Sequence, residues 1–150
     1  MAVINTVNDL PFGFAGNISR NINETSVLMG VIGGDLQYGR FVRRDTTAEK
    51  FVAVAATADK AVGVTVRDFT QGRDAFSELP PSEGTIGVAV RGFIICEVVA
   101  GESASPKAGD PVYLAADGCV AVTKGSLTAV AGAYFTGEVA DGVAEIALNL

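Results

Sequence analysis

Apolar and polar residues alternate along this chain in short runs separated by glycine, proline and Asp-Gly turns. That two-residue period is the signature of half-buried β-strands. The clearest stretch is Lys107 to Lys124, with a Gly109-Asp110-Pro111 turn, an apolar run Val112-Tyr113-Leu114, an Asp117-Gly118 turn and a second run from Cys119 to Val122. Asp-Gly between two apolar runs predicts a hairpin, because both residues accept the positive φ of its tight turn. The unit is written twice. Gly39-Arg-Phe-Val42 matches Gly109-Asp-Pro-Val112, Val52-Ala-Val54 matches Val120-Ala-Val122, and a glycine follows at Gly63 and at Gly132. First and last glycines are 24 and 23 residues apart, which suggests two copies of one β-unit.

Taken in order, Val27 to Ile32 predicts a strand closed by Gly33-Gly34, and Tyr38 to Arg44 the next. Thr46-Thr-Ala-Glu49 matches a helix capping box, which would allow a helix over Thr46 to Ala58. Phe51 to Ala55 alternates, however, so a strand preceded by a short helical turn at 46–50 is the favoured reading. Ala61 to Asp68 and Thr85 to Gly92 are near copies of one alternating strand, joined by a polar loop at 71–84 whose Pro80-Pro81 excludes a central strand. Phe93 to Ala100, Leu127 to Thr136 and Val143 to Leu148 complete a set of about ten short strands. The expected fold is all-β, an antiparallel barrel or sandwich. Residues 1–26 differ, with Asn5, Asn8, Asn17, Asn21 and Asn23 breaking any period, so the chain divides into an N-terminal arm at 1–26 and a single β domain at 27–150. The arm carries Pro11-Phe-Gly-Phe-Ala-Gly16, readable either as a loosely ordered terminus or as a pair of aromatic anchors for a partner.

Composition narrows the function. At 150 residues the chain is long enough to bury a core unaided. A net charge of −6 with 11 scattered basic residues lacks the clustered Lys/Arg of a nucleic-acid surface. No apolar run approaches the ~18 residues of a membrane span, and the first residues do not read as a signal peptide. Without histidine, Ser-His-Asp and Cys-His catalysis and His-containing zinc sites are excluded. Cys96 and Cys119 read as free thiols behaving as small hydrophobes. Asp68, Asp74 and Glu78 lack the spacing of a calcium loop. No catalytic, cofactor or metal residue is assigned, although carboxylates paired only in space would leave a hydrolase open. Asp59-Lys60-Ala61 matches the tripeptide that presents a modified lysine in lipoyl- or biotinyl-type carrier domains. The Gly109-Asp110 turn follows it instead of preceding it, so a plain turn lysine is the better reading.

With these pieces assembled, the chain resembles the structural cement (capsid decoration) proteins of tailed bacteriophages. The likeness rests on Pro11-Phe-Gly-Phe-Ala-Gly16, Gln37-Tyr-Gly39 ahead of Phe41-Val42, Val62-Gly-Val-Thr-Val-Arg-Asp68, and Ala108-Gly-Asp-Pro-Val-Tyr113 followed by Asp117-Gly118. The resemblance implies a non-enzymatic virion protein, made in the host cytoplasm and needing no cofactor. It would be a homo-trimer on the outside of an icosahedral head, bound to the major capsid protein and cementing the expanded shell. Phe12, Phe14 and Arg20 are the expected capsid contacts, and the exposed face of a terminal strand the expected subunit contact. Another minor virion structural protein of similar β fold is the alternative reading.

Overall fold

The computed structural model describes residues 14–20, 24–46, 49–55, 59–67, 80, 83–102 and 104–150. Among these, nine strands form one sheet: β1 (Ser26–Val31), β2 (Phe41–Arg44), β3 (Phe51–Ala53), β4 (Gly63–Thr65), β5 (Thr85–Glu97), β6 (Pro111–Leu114), β7 (Val120–Ala121), β8 (Thr128–Ala140) and β9 (Val143–Asn149). All pair antiparallel in the order β3-β2-β4-β5-β9-β8-β6-β7, with β1 added to β5. The fold is therefore all-β as expected, and a single curling sheet replaces the two sheets of a sandwich.

The curl is explained by the duplication. Phe41 pairs with Val64 in one copy and Pro111 with Tyr134 in the other. Thr65 pairs with Val88, and Phe135 with Ile146. Gly39 N–H donates to the Thr65 carbonyl (3.0 Å) as Gly109 N–H does to that of Phe135 (2.8 Å). The long strand β5, 13 residues, serves both copies. Its first half closes a ring β1-β5-β4-β2-β3 through a parallel bridge from Ile32 to Phe51. Its second half takes the place of β1 in a ring β5-β9-β8-β6-β7, closed by a parallel bridge from Val98 to Val120. Each ring curls because a twisted ribbon of short strands brings its ends together.

Several expected boundaries move. Thr85 to Gly92 and the Phe93 run are one strand, which ends at Glu97 and not Ala100, since a residue with φ 114° at Gly92 bends the ribbon without ending it. Tyr38 and Gly39 form a turn, so β2 begins at Phe41. The run from Ala61 pairs only over Gly63–Thr65, and its end at Asp68 lies outside the described residues. The 51–55 run is a strand, β3, over Phe51–Ala53 alone. Thr46 stands in a turn and Glu49 has φ 55°; Thr47 and Ala48 of the capping box lie outside the described residues, as do Asp74, Glu78 and most of the 71–84 loop. The repeat is also offset by one residue from its sequence match. Phe51, not Val52, corresponds to Val120, because the β2–β3 turn is one residue longer than the β6–β7 turn.

Two apolar clusters fill the rings. Ile32, Leu36, Tyr38, Val42, Phe51, Ile86 and Val88 pack inside the first. The corresponding Val98, Val112, Val120, Ala144 and Ile146 pack in the second, together with Phe41, Val64 and Ala89 from the opposite face of the first ring's strands. β4 and the first half of β5 are buried on both faces, which is why Val64 and Ile86 to Ala89 read as apolar without a polar face. Cys96 and Cys119 are buried and unbonded, and desolvation pushes the Cys96 thiol well above its ordinary range.

Candidate docking surface

The arm is built onto β5. Gly16 N–H donates to the Ile95 carbonyl (2.8 Å), Ile95 N–H to that of Asn17 (2.9 Å) and Ser19 N–H to that of Phe93 (3.1 Å), so residues 16–19 run antiparallel to the second half of β5. Two arginines fix its ends. Arg67 Nε donates to the Ala15 carbonyl (2.8 Å), and its guanidinium lies over the rings of Phe14 (5.6 Å) and Tyr38 (4.9 Å). Arg20 donates through Nε (3.0 Å) and Nη2 (2.6 Å) to Glu145 Oε1 and lies 4.4 Å above the Phe93 ring. Such stacked, forked contacts suit arginine because its planar guanidinium can donate in its plane and stack through its face.

Burial would raise the Glu145 carboxyl, but hydrogen bonds from Arg20 and Thr136 and the Arg20 charge hold it below the usual carboxylate range. A depressed folded-state pKa stabilises the clasp above the unfolded value, about 4.3, and that contribution disappears as pH falls through the folded value. Acidification from pH 5 to 3 is therefore expected to loosen residues 16–19, seen as lower amide protection at Ser19 and Ile95 once each rate is divided by the intrinsic exchange rate at that pH, while Glu145→Gln shows low protection at both pH values and little change between them. Equal pH dependence in the two proteins would remove Glu145 as the cause.

These contacts locate the expected capsid residues. Phe12 lies outside the described residues. Phe14 is 48% exposed beside Arg67. Arg20 remains half exposed although its guanidinium is engaged with Glu145 and Phe93. Phe14 and Arg20 thus flank the same stretch of arm. Lys60, the carrier-type candidate, is exposed, while its neighbour Asp59 pairs with Arg43 (3.2 Å) and accepts from Ala55 N–H (2.9 Å). Among the described residues no three acidic or cysteine side chains converge as a metal site.

Among the described residues, exposed large apolar side chains concentrate on β1. Its sequence, Ser-Val-Leu-Met-Gly-Val, carries no charge, yet Val27 is 39%, Leu28 44%, Met29 59% and Val31 48% exposed. One edge of β1 pairs with β5; among the described residues the other edge meets only the bridge at Ile32. An uncharged aliphatic edge without lysine, proline or bulge along most of its length lacks the usual protection against pairing, and exposed apolar patches of this kind mark interaction surfaces. Alternation alone did not reveal this, because an aliphatic strand reads as core until its neighbours are known.

No curated protein is similar enough to the chain to serve as a relative. A chain of the solved structure described as the capsid of Myoviridae Phage XM1 shares the fold, with a TM-score of 0.74 over 91% of this chain and 90% of that one, at 22% identity. The family model described as structural cement protein (E217 gp24/Pam3 gp6) matches residues 4–149. With nearly its whole length matched, the chain belongs to the structural cement proteins of phages, virion components with a structural, capsid-stabilising role.

Proposed function

We propose that the protein is a homo-trimer that docks on the outer face of an icosahedral head, binds the major capsid protein and holds the expanded shell against internal pressure. The work is mechanical, with no catalytic step and no cofactor. The observation that carries this reading is the pair of unsatisfied apolar features on a cement protein: the arm with Phe14 exposed beside Arg67, and the bare strand β1. Phe12, Phe14 and Arg20 supply the capsid contact and β1 the subunit contact. Three copies binding together multiply modest single-site affinities, because each later attachment is intramolecular. Acidity, −6 per chain, keeps the free assembly soluble before docking.

Two measurements test it. Light scattering is expected to give three times the 15.4 kDa chain mass. Co-sedimentation with expanded, undecorated shells is expected to weaken at least tenfold for the Phe12→Ala/Phe14→Ala variant, since aromatic anchors dominate interface energetics, with no change in melting temperature. Unchanged binding would remove the arm from the capsid contact.

A further inference from the structure

The duplication makes β1 and the second half of β5 equivalent strands, and only one of them is covered. Val27 pairs with Ala89 as Phe93 pairs with Ala147, and Ile32 N–H donates to the Gly84 carbonyl as Val98 N–H does to that of Gly142 (2.8 Å each). Leu28 therefore corresponds to Ile94 and Met29 to Ile95. Leu28 and Met29 are 44% and 59% exposed, whereas Ile94 and Ile95 are 0%. At the second site, residues 16–19 of the arm add an antiparallel strand against Phe93–Ile95. At the first, nothing among the described residues does. Equivalent edges with one filled by an extended, uncharged segment define what fits the other.

We infer that β1 is the acceptor strand of a subunit exchange, filled by residues 2–7 of a second copy of this chain; the inference deepens the trimer reading and rests on it. The segment Ala2-Val-Ile-Asn-Thr-Val7 is uncharged, rich in β-branched residues and as long as β1. Added strands take affinity from backbone hydrogen bonds and selectivity from alternate side chains. Val3 and Val7 would extend the apolar row of Val27, Met29 and Val31. Topology points to a second copy. β1 and β4 pair with the same residues, Val88 and Ala89, so they lie on opposite edges of β5. The arm follows the β4 edge, where Arg67 N–H donates to the Gly16 carbonyl (2.8 Å). The described arm, from Phe14 to Arg20, thus lies on the edge of β5 opposite β1, and six residues such as 8–13 can span roughly 20 Å, enough to reach a neighbour. Donor segment and acceptor strand are different surfaces, so the contact can run head-to-tail from copy to copy, the arrangement that a three-membered ring uses.

The test is cross-linking of an Asn5→Cys/Met29→Cys variant in the full chain with a short bis-maleimide: position 5 lies between Val3 and Val7 on the face shared with Met29, and the reach of the reagent tolerates a slip of one residue pair. Met29 is exposed, so the substitution leaves the core intact, and the native Cys96 and Cys119 are buried. A ladder of covalent dimers and trimers, absent from wild type and from each single variant, is the expected result. Deletion of residues 1–7 is expected to raise the concentration at which the trimer dissociates at least tenfold while leaving the circular dichroism spectrum unchanged. A cross-link confined within single chains would overturn exchange between copies. Absence of any cross-link in a protein that scatters as a trimer would overturn the inference and leave the trimer reading standing. A wild-type monomer at working concentration would overturn both.

Discussion

Phe51→Ala is expected to cost about 3–5 kcal/mol, the range for removing a fully buried aromatic side chain, and so a large share of the stability of a domain this size. Phe51 is 1% exposed, and its backbone makes the bridge that closes the first ring: Gly33 N–H donates to its carbonyl (2.8 Å). Its ring lies under β1 so closely that a Cβ on Gly30 would sit 2.1 Å from it. Glycine at position 30 is thus the partner of phenylalanine at position 51. In the wild-type background Gly30→Ala is expected to cost about 1–3 kcal/mol by overpacking; with Phe51→Ala already present, the same change is expected to be close to neutral. Denaturant unfolding of the four proteins gives the coupling directly. Equal costs of Gly30→Ala in both backgrounds would refute the packing account.

The second large effect lies where the two repeats meet. Arg40 donates from Nε (2.9 Å) and Nη2 (3.1 Å) to the two oxygens of Glu97, and Glu97 N–H donates to the Gly39 carbonyl (2.9 Å). The β6–β7 turn closes the same seam. Asp117 and Gly118 have φ of 68° and 83°, and a Cβ on Gly118 would fall 2.2 Å from the Phe41 carbonyl oxygen. Gly118→Ala therefore combines left-handed backbone strain with a clash against backbone that cannot rotate away, about 2–4 kcal/mol together. Gly125, φ 48° with open space around its missing Cβ, isolates the strain alone, so Gly125→Ala is expected to cost about 1–2 kcal/mol. Thermal unfolding of both variants should place Gly118→Ala clearly lower. Matching melting temperatures would show that the turn does not carry the seam.

Much of this architecture was legible along the chain. Alternation at Val27 to Ile32, Thr85 to Gly92 and Val143 to Leu148 gave strands in the right places, because a two-residue period has no other regular solution. Asp117-Gly118 marked its hairpin for the same local reason. The same signal at Asp141-Gly142, between β8 and β9, could have extended the Leu127 to Thr136 strand to its true end at Ala140. The duplication was visible from Gly39 and Gly109, although loop length shifted its register by one residue. Fusion of two strands through Gly92 was not visible, since a glycine inside a strand pattern signals a bend and an end equally well.

The docking surface divides in the same way. Uncharged, aliphatic residues from Val27 to Ile32 and the absence of histidine were determined by the sequence alone, and with them a β-strand and a chain without the usual catalytic pairs. Whether that strand is core or surface is a property of its neighbours, and no local pattern contains them. Only the folded chain places residues 16–19 on one half of β5 and leaves the equivalent edge of β1 bare. Likewise Arg20, read as a contact for a partner, is drawn to Glu145, 125 positions away. Periodicity is a short-range property and survives in the sequence; exposure is set by long-range pairing, which only tertiary structure decides.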